Sequence, residues 1–203
     1  SNGVDTPLLG ESTMFINYIT LMLTNLIAGL VLLAGYVYWG LDDNHPSRWI
    51  PGFGVVGAIA LSTGTHMTLT WPIIGSYNIA YGEASMLYGI LFIGAAITLA
   101  QRWELTTLAV YGFFAGAYAF TLGLRIINLG LTLLPFISGM GFILSGLGGI
   151  CASPMLHFSK SKPFRLVGAV LLLAAALIFT WINVFAIWGH MADYGDWQPL
   201  PMR

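Results

Sequence analysis

The stretch LVGAVLLLAAALIFTWINVFAIWG, residues 166–189, carries no charged side chain and decides the fold class. As a helix rising 1.5 Å per residue it would be roughly 36 Å long, which exceeds the roughly 30 Å hydrocarbon core of a bilayer. The stretch is apolar on every side, a pattern that lipid tolerates around a helix and water does not. Because backbone groups in lipid must be hydrogen-bonded within their own segment, the stretch predicts a transmembrane helix.

Five similar apolar runs precede this one, and short polar loops separate them. The predicted spans are 14–39, 50–70, 84–100, 105–127, 131–152 and 164–189. Transmembrane β-strands would instead show segments of about ten residues with alternating hydrophobicity, and this pattern is absent from the sequence. We therefore predict an all-α fold, a polytopic transmembrane helical bundle with six spans that forms one domain over residues 1–203.

The composition excludes a soluble enzyme and favours lipid as the surrounding medium. Of the 203 residues, 57% are hydrophobic and 7% are charged, whereas soluble domains carry about 25% charged residues. The net charge of −1 argues against nucleic acid as a partner, because nucleic acid is bound mainly by clustered Lys and Arg. The single cysteine, Cys151, rules out an internal disulfide and a cysteine-cluster metal site. Membrane lipid is the expected partner.

Basic residues are distributed unevenly between the two predicted sides of the membrane. With both termini on the outer side, the inner loops hold Arg48, Arg102, Lys160, Lys162 and Arg165, and the outer side holds Arg125 and Arg203. Short cytoplasmic loops are enriched in Lys and Arg, so this excess predicts that both termini lie outside. The tryptophans form two predicted anchoring belts, Trp39, Trp49 and Trp103 at the inner interface and Trp71, Trp188 and Trp197 at the outer one.

Small residues recur at a spacing of four along the fourth run and crowd the fifth. Gly112 and Gly116 form one such pair and Ala115 and Ala119 another, while Gly139, Gly141, Gly146, Gly148 and Gly149 lie in the fifth run. Small side chains let helix backbones approach closely in lipid. We predict tight packing inside the bundle; a dimer face and a close approach to a flat cofactor are the alternatives.

Five ionisable side chains are predicted to gather at the outer ends of the spans. They are His66, Glu83, Arg125, His190 and Asp193. Charged groups are costly in lipid and usually face the protein interior, so each marks a candidate functional site. His45 and His157 lie in the inner loops and are expected to be surface residues.

His66 and His190 are the candidate ligands of a b-type haem or a transition metal ion. Haem iron accepts axial His ligands, and Glu83 or Asp193 would complete a metal site or orient a histidine through its second nitrogen. Asp193 follows His190 by three residues and so shares its helical face. The alternatives are an interfacial His66 bonded to a threonine or a carbonyl, and a His190 that caps its helix C-terminus.

Arg125 is costly at its predicted depth unless it is paired. Glu83 begins the third run on the same side and is the predicted ion-pair partner. In the alternative, Arg125 is a cofactor-binding residue, since its guanidinium fits carboxylate and phosphate oxygens. A haem propionate, a quinone head group and a lipid phosphate are the candidate anions.

The segment WPIIGSYNIAYGE, residues 71–83, is too apolar for a solvated loop and too broken for a helix. It is predicted to lie in the outer interface or to fold back as a lid, because non-helical backbone at membrane depth must be buried or line a cavity. Together with MFINY, residues 14–18, it resembles the domain-of-unknown-function 981 family of small prokaryotic membrane proteins. The resemblance covers nearly the whole chain; it implies a prokaryotic cytoplasmic membrane and carries no activity.

Several functions fit these features. The first is a redox module, or a subunit of a respiratory-type membrane complex, with haem or metal near the outer face. The second is a small transporter or channel whose site lies beneath residues 71–83, although mid-membrane polar residues are scarce. The third is a non-catalytic accessory subunit that binds lipid and either other membrane subunits or copies of itself. A membrane-embedded zinc hydrolase using His66, His190 and one acid is a further alternative.

Overall fold

The computed structural model describes residues 17–158, 160–193 and 195, and within these ranges the protein is built of helices and turns without a strand. The α-helices are α1 (Ile19–Trp39), α2 (Ile50–Thr70), α3 (Ala84–Ala100), α4 (Thr106–Leu129), α5 (Pro135–Ile150), α6 (Ala152–His157) and α7 (Lys162–Asp193). Two 3-10 turns, Gly40–Asp42 and Pro46–Trp49, join α1 to α2, and a π-helical turn, Asn78–Glu83, leads directly into α3. The predicted all-α fold is confirmed. Residues 14–16, Trp197 and Arg203, which the predictions include, lie outside the described residues.

The fifth predicted span differs from the helices that the chain forms. Residues 131–152 contain the 16-residue helix α5 and the first residue of α6, so the helix there is shorter than the predicted span. Gly130 ends α4 with a φ of 61°, a left-handed conformation that glycine adopts without steric cost. The turn that follows delays α5 until Pro135, which is well suited to a first helical turn because its missing N–H needs no partner there.

Four helical segments are long and apolar enough to cross a membrane, by length and composition. They are Ile19–Asp42, Asn78–Ala100, Thr106–Leu129 and Lys162–Asp193. The 16 residues of α5 rise only roughly 24 Å, and α2 is long enough but has a polar stretch around His66. The four segments indicate an integral membrane protein, whereas six spans and outward termini stay predictions.

All α-helices of the described residues except the short α6 form a ring. Each packs against its neighbours in the sequence, and α7 closes the ring by packing against both α5 and α1. Tyr18, just before α1, meets His66 near the end of α2, and Val37 near the end of α1 meets Arg165 in the first turn of α7, so α1 runs opposite to both. The glycine contacts between α2 and α3 and between α4 and α5, and the Tyr118–Glu83 hydrogen bond between α4 and the turn before α3, give the same alternation around the ring. The upper end of the ring is defined here by Tyr18, Tyr77 and His190, and the lower end by Trp39, Trp103 and Lys162.

Glycines bring two pairs of helices into backbone contact. Where α4 crosses α5, a β-carbon on Gly116 would lie 2.5 Å from the Ile150 nitrogen, and one on Gly146 would lie 2.6 Å from the Phe120 nitrogen. The contact between α2 and α3 at Gly57 is of the same kind. These glycine faces are occupied by a neighbouring helix of the same chain, as the prediction of tight packing requires.

Arg165 lies buried at the lower end, although the sequence places it among the cations of the inner loops. Its Nε donates to the Val37 carbonyl oxygen at 2.9 Å, and its terminal nitrogens donate to the Tyr38 carbonyl oxygen and the Asp42 carboxylate. The guanidinium thus binds carbonyl oxygens in the last turn of α1, where a helix leaves them without partners. Arg165 lies at the lower end together with the other predicted inner cations, but in the first turn of α7 instead of in a loop.

Asp43 organises the loop between α1 and α2. Its carboxylate accepts hydrogen bonds from the His45 backbone N–H at 3.0 Å and from Trp49 Nε1 at 3.3 Å, and lies 2.7 Å from Arg48 Nε. The His45 N–H above all, followed by Trp49 and Arg48, lowers the pKa of Asp43. The loop therefore presents a charged carboxylate at the lower end, and His45 beside it is exposed, as predicted.

Candidate functional site

A cavity of about 240 Å3, the central cavity, lies inside the ring. Its walls come from α1, α3, α4 and α5, with smaller parts from α6, α7 and the Phe53 ring of α2. The lining is almost entirely apolar and consists of leucines, aromatic rings and small residues. Small-molecule sites are typically apolar concavities of about 300–1,000 Å3 with a few polar groups. The central cavity is therefore the candidate site, and its volume suits a slender molecule.

The central cavity is elongated along the helices. On α4 its lining extends from Leu105, just before the helix, to Ala119, which is roughly 21 Å at 1.5 Å per residue. That length is about two thirds of the roughly 30 Å hydrocarbon core. Gly112 and Ala115 lie midway, where a residue without a side chain and a single methyl group leave the space open. An extended chain parallel to the helices fits this shape.

Polar side chains are distributed unevenly along the central cavity. Its upper part carries Tyr81, Ser85 and Tyr118, whereas the parts below are formed mainly by leucines, with Tyr36 among them. The leucines there include Leu33, Leu41, Leu91, Leu105, Leu108 and Leu156. Two further polar side chains of the lining, Tyr88 and Ser145, already donate to the carbonyl oxygens of Leu26 and Phe142. An amphiphilic molecule would be oriented by this difference with its polar end up.

A hydrogen bond joins α4 to the π-helical turn beside the upper part of the central cavity. The Tyr118 hydroxyl donates to Glu83 Oε2 at 2.5 Å. The predicted ion pair between Glu83 and Arg125 is wrong. Arg125 instead donates to the Asn128 amide oxygen, and no acidic side chain of the described residues lies within ion-pair distance of it.

The wall that α3 and α4 form together is the most loosely packed part of the ring. These two helices pack against each other less extensively than any other pair of ring neighbours. Leu108 lies against Gly94 toward the lower end, and the Tyr118–Glu83 hydrogen bond links the two sides higher up. Both helices line the central cavity between these points, so an opening from the cavity to the surrounding lipid would form most easily here.

Residues 71–83, named here the covering segment, contain a compact turn followed by a helical turn. Asn78 is fully buried; its amide oxygen accepts from the Ile73 N–H at 3.2 Å, and its amide nitrogen donates to the Ile73 and Gly75 carbonyl oxygens. These bonds satisfy the backbone of the turn, so a helix can begin at Asn78 itself. The expectation that the segment is too broken for a helix is wrong for residues 78–83.

The covering segment extends across the upper end of the ring. Ala80 and Tyr81 line the central cavity, and the Tyr77 hydroxyl donates to the Leu131 carbonyl oxygen in the turn between α4 and α5. Tyr77 and Tyr81 stack with ring centroids 6.3 Å apart. The segment thus reaches from the end of α2 to the end of α4, as expected of a cover over the bundle.

His66 lies on the exposed face of α2 near the upper end. Its Nδ1 is 2.7 Å from the Tyr18 hydroxyl and 3.5 Å from the Thr70 hydroxyl. If Nδ1 carries the proton and donates to Tyr18, then Nε2 has the lone pair that iron or a metal ion needs. If the Tyr18 hydroxyl donates, Nε2 carries the proton and cannot be a ligand.

His190 and Asp193 lie in the last turns of α7, where His190 is half-buried and Asp193 exposed. His66 and His190 belong to α2 and α7, which are separated in the ring by α1. Within the part of the chain that the structure describes, no three His, Cys, Asp or Glu side chains form a group that could hold a metal ion. Haem or metal binding by His66, His190, Glu83 and Asp193 stays a prediction.

A second cavity, the Arg125 notch, also measures about 240 Å3 and lies near the upper end. It is lined by Ser76, Ile79 and Ala80 of the covering segment and by Leu122, Arg125, Ile126, Leu129 and Leu131 on the other side. Ala80 also lines the central cavity, and Leu122 follows Ala119 by about one turn of α4, so the two cavities adjoin.

Sequence reasoning missed Tyr118, which has no formal charge and lies in an apolar run. In the structure it lines the central cavity and holds Glu83. The available signal was its helical spacing: Tyr118 follows Ala115 by three residues and therefore shares a face of small side chains. A hydroxyl on a face of small residues inside a transmembrane helix indicates a polar contact next to open space.

Comparison with known proteins gives a family and no activity. A family model described as "Protein of unknown function (DUF981)" matches residues 13–193, which include all seven α-helices. No curated protein and no solved structure matches the chain. The family match confirms the resemblance that residues 14–18 and 71–83 indicate.

Proposed function

The chain belongs to the DUF981 family of proteins of unknown function, and we propose that it binds a single-chain, lipid-like molecule in its central cavity. The apolar volume of about 240 Å3 inside a ring of membrane-compatible helices carries this proposal. Its lining offers an acyl or isoprenoid chain contact along roughly 20 Å. The hydroxyl groups of Tyr81, Ser85 and Tyr118 lie where the polar end of such a molecule would be.

An apolar chain suits the central cavity better than water or an ion does. A buried water needs two to four polar partners, and permeating ions are coordinated by carbonyl oxygens or charged side chains. Lining atoms that face empty space also lose dispersion contacts. Occupancy by a hydrocarbon chain would restore those contacts without requiring polar groups.

The proposal is compatible with two of the functions inferred from the sequence. The bound molecule could exchange with the membrane through the loosely packed wall that α3 and α4 form. Such exchange would fit a lipid transporter or carrier. Permanent occupancy would fit an accessory subunit that lipid stabilises. Replacement of the bound molecule by isotopically labelled lipid within minutes would favour the first, and retention over days the second.

We place the protein in a prokaryotic cytoplasmic membrane with the upper end outside. Arg48, Arg102, Lys160 and Lys162 belong to loops and helix ends at the lower end, and an excess of short-loop cations marks the cytoplasmic side. Trp39 and Trp103 at the lower end, and Trp71 and Trp188 at the upper end, are exposed as anchors would be. Labelling of single cysteines introduced at each end of the ring in intact cells tests this orientation.

Ala115→Phe is expected to reduce the lipid bound to the purified protein at least about tenfold. Ala115 lines the middle of the central cavity, where a phenyl ring would occupy the space of the proposed chain. Added lipid should stabilise the wild type by about 2.7 kcal/mol at a hundredfold excess over Kd and leave the variant unchanged. Native mass spectrometry in mild detergent counts the bound molecules, and thermal unfolding reports the stabilisation.

Ala117→Phe is the matched control for this experiment. It makes the same substitution in α4 two residues away, about 200° around the helix, at a position that does not line the central cavity. Wild-type lipid occupancy is expected in this variant. Equal loss of lipid in both variants, or wild-type protein that carries and accepts no lipid, would contradict the proposal.

A redox role is the second candidate, and the contact between His66 and Tyr18 favours it. A histidine that ligates metal through Nε2 usually donates its Nδ1–H to a partner, and the Tyr18 oxygen lies 2.7 Å from Nδ1. The candidate predicts a Soret band that sharpens on reduction and disappears in His66→Ala and in His190→Ala. Visible spectra and metal analysis of the native protein test it. A colourless, metal-free preparation would eliminate the redox candidate without affecting the lipid proposal.

A further inference from the structure

The Arg125 notch adjoins the upper part of the central cavity. Arg125 follows Ala119, the uppermost cavity residue on α4, by six positions, which is roughly 9 Å along the helix. Ala80 lines both spaces from the opposite wall. The same six positions turn Arg125 about 120° around α4 from Ala119, onto the side that lines the notch with the covering segment. A molecule whose chain lies in the central cavity would therefore meet the Arg125 guanidinium where its polar end leaves the cavity between α4 and the covering segment.

The Arg125 charge has no acidic partner among the described residues. Its guanidinium donates to the neutral amide oxygen of Asn128. The two ion pairs found in the described part of the chain lie at the lower end, where Arg48 meets Asp43 and Arg165 meets Asp42. Arg125 is exposed near the upper end of α4, and a guanidinium binds phosphate and carboxylate oxygens in a bidentate manner.

Glu83 disfavours an anion deeper in the central cavity. Its carboxylate accepts from Tyr118 beside the upper part of that cavity, so an anionic group placed there would meet a like charge. The Arg125 notch offers the guanidinium and the Ser76 hydroxyl instead. Glu83 and Arg125 thus favour an apolar chain in the central cavity and an anionic head group above it, in the Arg125 notch.

We infer that the molecule held in the central cavity is an anionic amphiphile whose phosphate or carboxylate head group binds Arg125 in the Arg125 notch. This inference rests on the proposed function, because it assigns a head group to the molecule whose chain the central cavity holds. The shared chemistry is an oxyanion on a single hydrocarbon chain. A free phosphate ion would satisfy Arg125 alone and would not involve the central cavity.

Binding of two lipids with the same oleoyl chain tests the inference. Full-length, delipidated protein is titrated with 1-oleoyl-lysophosphatidic acid, with monoolein, which lacks the phosphate, and with inorganic phosphate alone. The wild type is expected to bind lysophosphatidic acid at least tenfold more tightly than monoolein. Arg125→Gln should reduce this preference to below threefold and leave the affinity for monoolein unchanged. Inorganic phosphate is expected neither to bind nor to compete at millimolar concentration.

Two further variants separate the head group from the chain. Arg102→Gln removes the same charge at the lower end and should retain the wild-type preference, whereas Ala115→Phe should lose both lipids. Equal affinity of the wild type for the two lipids, an unchanged preference in Arg125→Gln, or phosphate binding without any lipid preference would overturn the head-group inference. In each case, binding of monoolein that depends on Ala115 would leave the proposed function standing. Failure of both lipids to bind the wild type would overturn the two together.

Discussion

Arg165→Leu is expected to lower the thermal stability of the protein more than removal of its exposed ion-pair partner. The Arg165 side chain is 4% exposed, and it donates to the carbonyl oxygens of Val37 and Tyr38. Leucine would leave both oxygens without their donor, and a buried group without a partner costs about 1–3 kcal/mol. A total loss of about 3 kcal/mol would lower Tm by roughly 6–12 °C in a chain of this size.

Two companion variants identify the origin of that loss. The Asp42 side chain is 61% exposed, so Asp42→Asn should cost less than about 1 kcal/mol, as exposed ion pairs do. Arg165→Lys should fall between the two, because an ammonium group cannot reproduce the planar set of donors. Tryptophan fluorescence during thermal unfolding in detergent measures all three. If the Tm of Arg165→Leu lies within about 2 °C of the wild type, or if Asp42→Asn lowers Tm equally, then the hydrogen bonds from Arg165 to the backbone contribute little to stability.

The sequence predicts the helices well where a long apolar run can satisfy its backbone hydrogen bonds in lipid only as a helix. Residues 50–70 and 84–100 match α2 and α3, because a long apolar run in a membrane must satisfy its own hydrogen bonds. The same reasoning fails for residues 131–152, whose composition stays apolar across the turn after Gly130 and across the break at Cys151 between α5 and α6. Hydropathy measures what surrounds a segment and does not detect a turn between apolar residues.

Spacing along a helix indicates which residues share a face, but not what that face meets. Gly112, Ala115 and Gly116 are equivalent in the sequence, where all predict close helix packing. In the structure all three border the central cavity, but Gly112 and Gly116 also lie against the backbone of α5 near Gly149 and Ile150. The cavity depends on the distance between α4 and α3, which belongs to the assembled ring and to no single helix.

For the same reason, local sequence patterns could not predict the hydrogen bonds between helices in the interior. Asn25 Nδ2 donates to the Val56 carbonyl oxygen at 2.9 Å and joins α1 to α2, although the two residues are 31 positions apart. Asn183 Nδ2 donates to the Thr24 hydroxyl at 2.8 Å across 159 positions and joins α7 to α1. Each asparagine looks isolated in an apolar run. The partner of each asparagine depends on how the helices pack against one another, and the absence of the predicted Glu83–Arg125 ion pair has the same origin.

Gly146→Ala and Gly116→Ala are each expected to destabilise the protein by about 1–3 kcal/mol, although alanine is the better helix former. The added methyl on Gly146 would lie 2.6 Å from the Phe120 nitrogen, and that on Gly116 would lie 2.5 Å from the Ile150 nitrogen. Both obstacles are main-chain atoms of the facing helix, so no side chain can move aside. The helices α4 and α5 would have to separate, which also disturbs the central cavity that both line.

Gly54→Ala and Gly189→Ala are the matched controls, and they predict a change of opposite sign. An added methyl at either position meets nothing within 4 Å, so alanine should stabilise each helix by about 0.5–1 kcal/mol. The Gly116→Ala/Gly146→Ala double variant should cost less than the sum of its parts, since separation of the helices for one methyl makes room for the other. Thermal unfolding of the five variants decides the matter. A stabilised Gly146→Ala, or strictly additive costs in the double variant, would mean that α4 and α5 are not held at backbone contact.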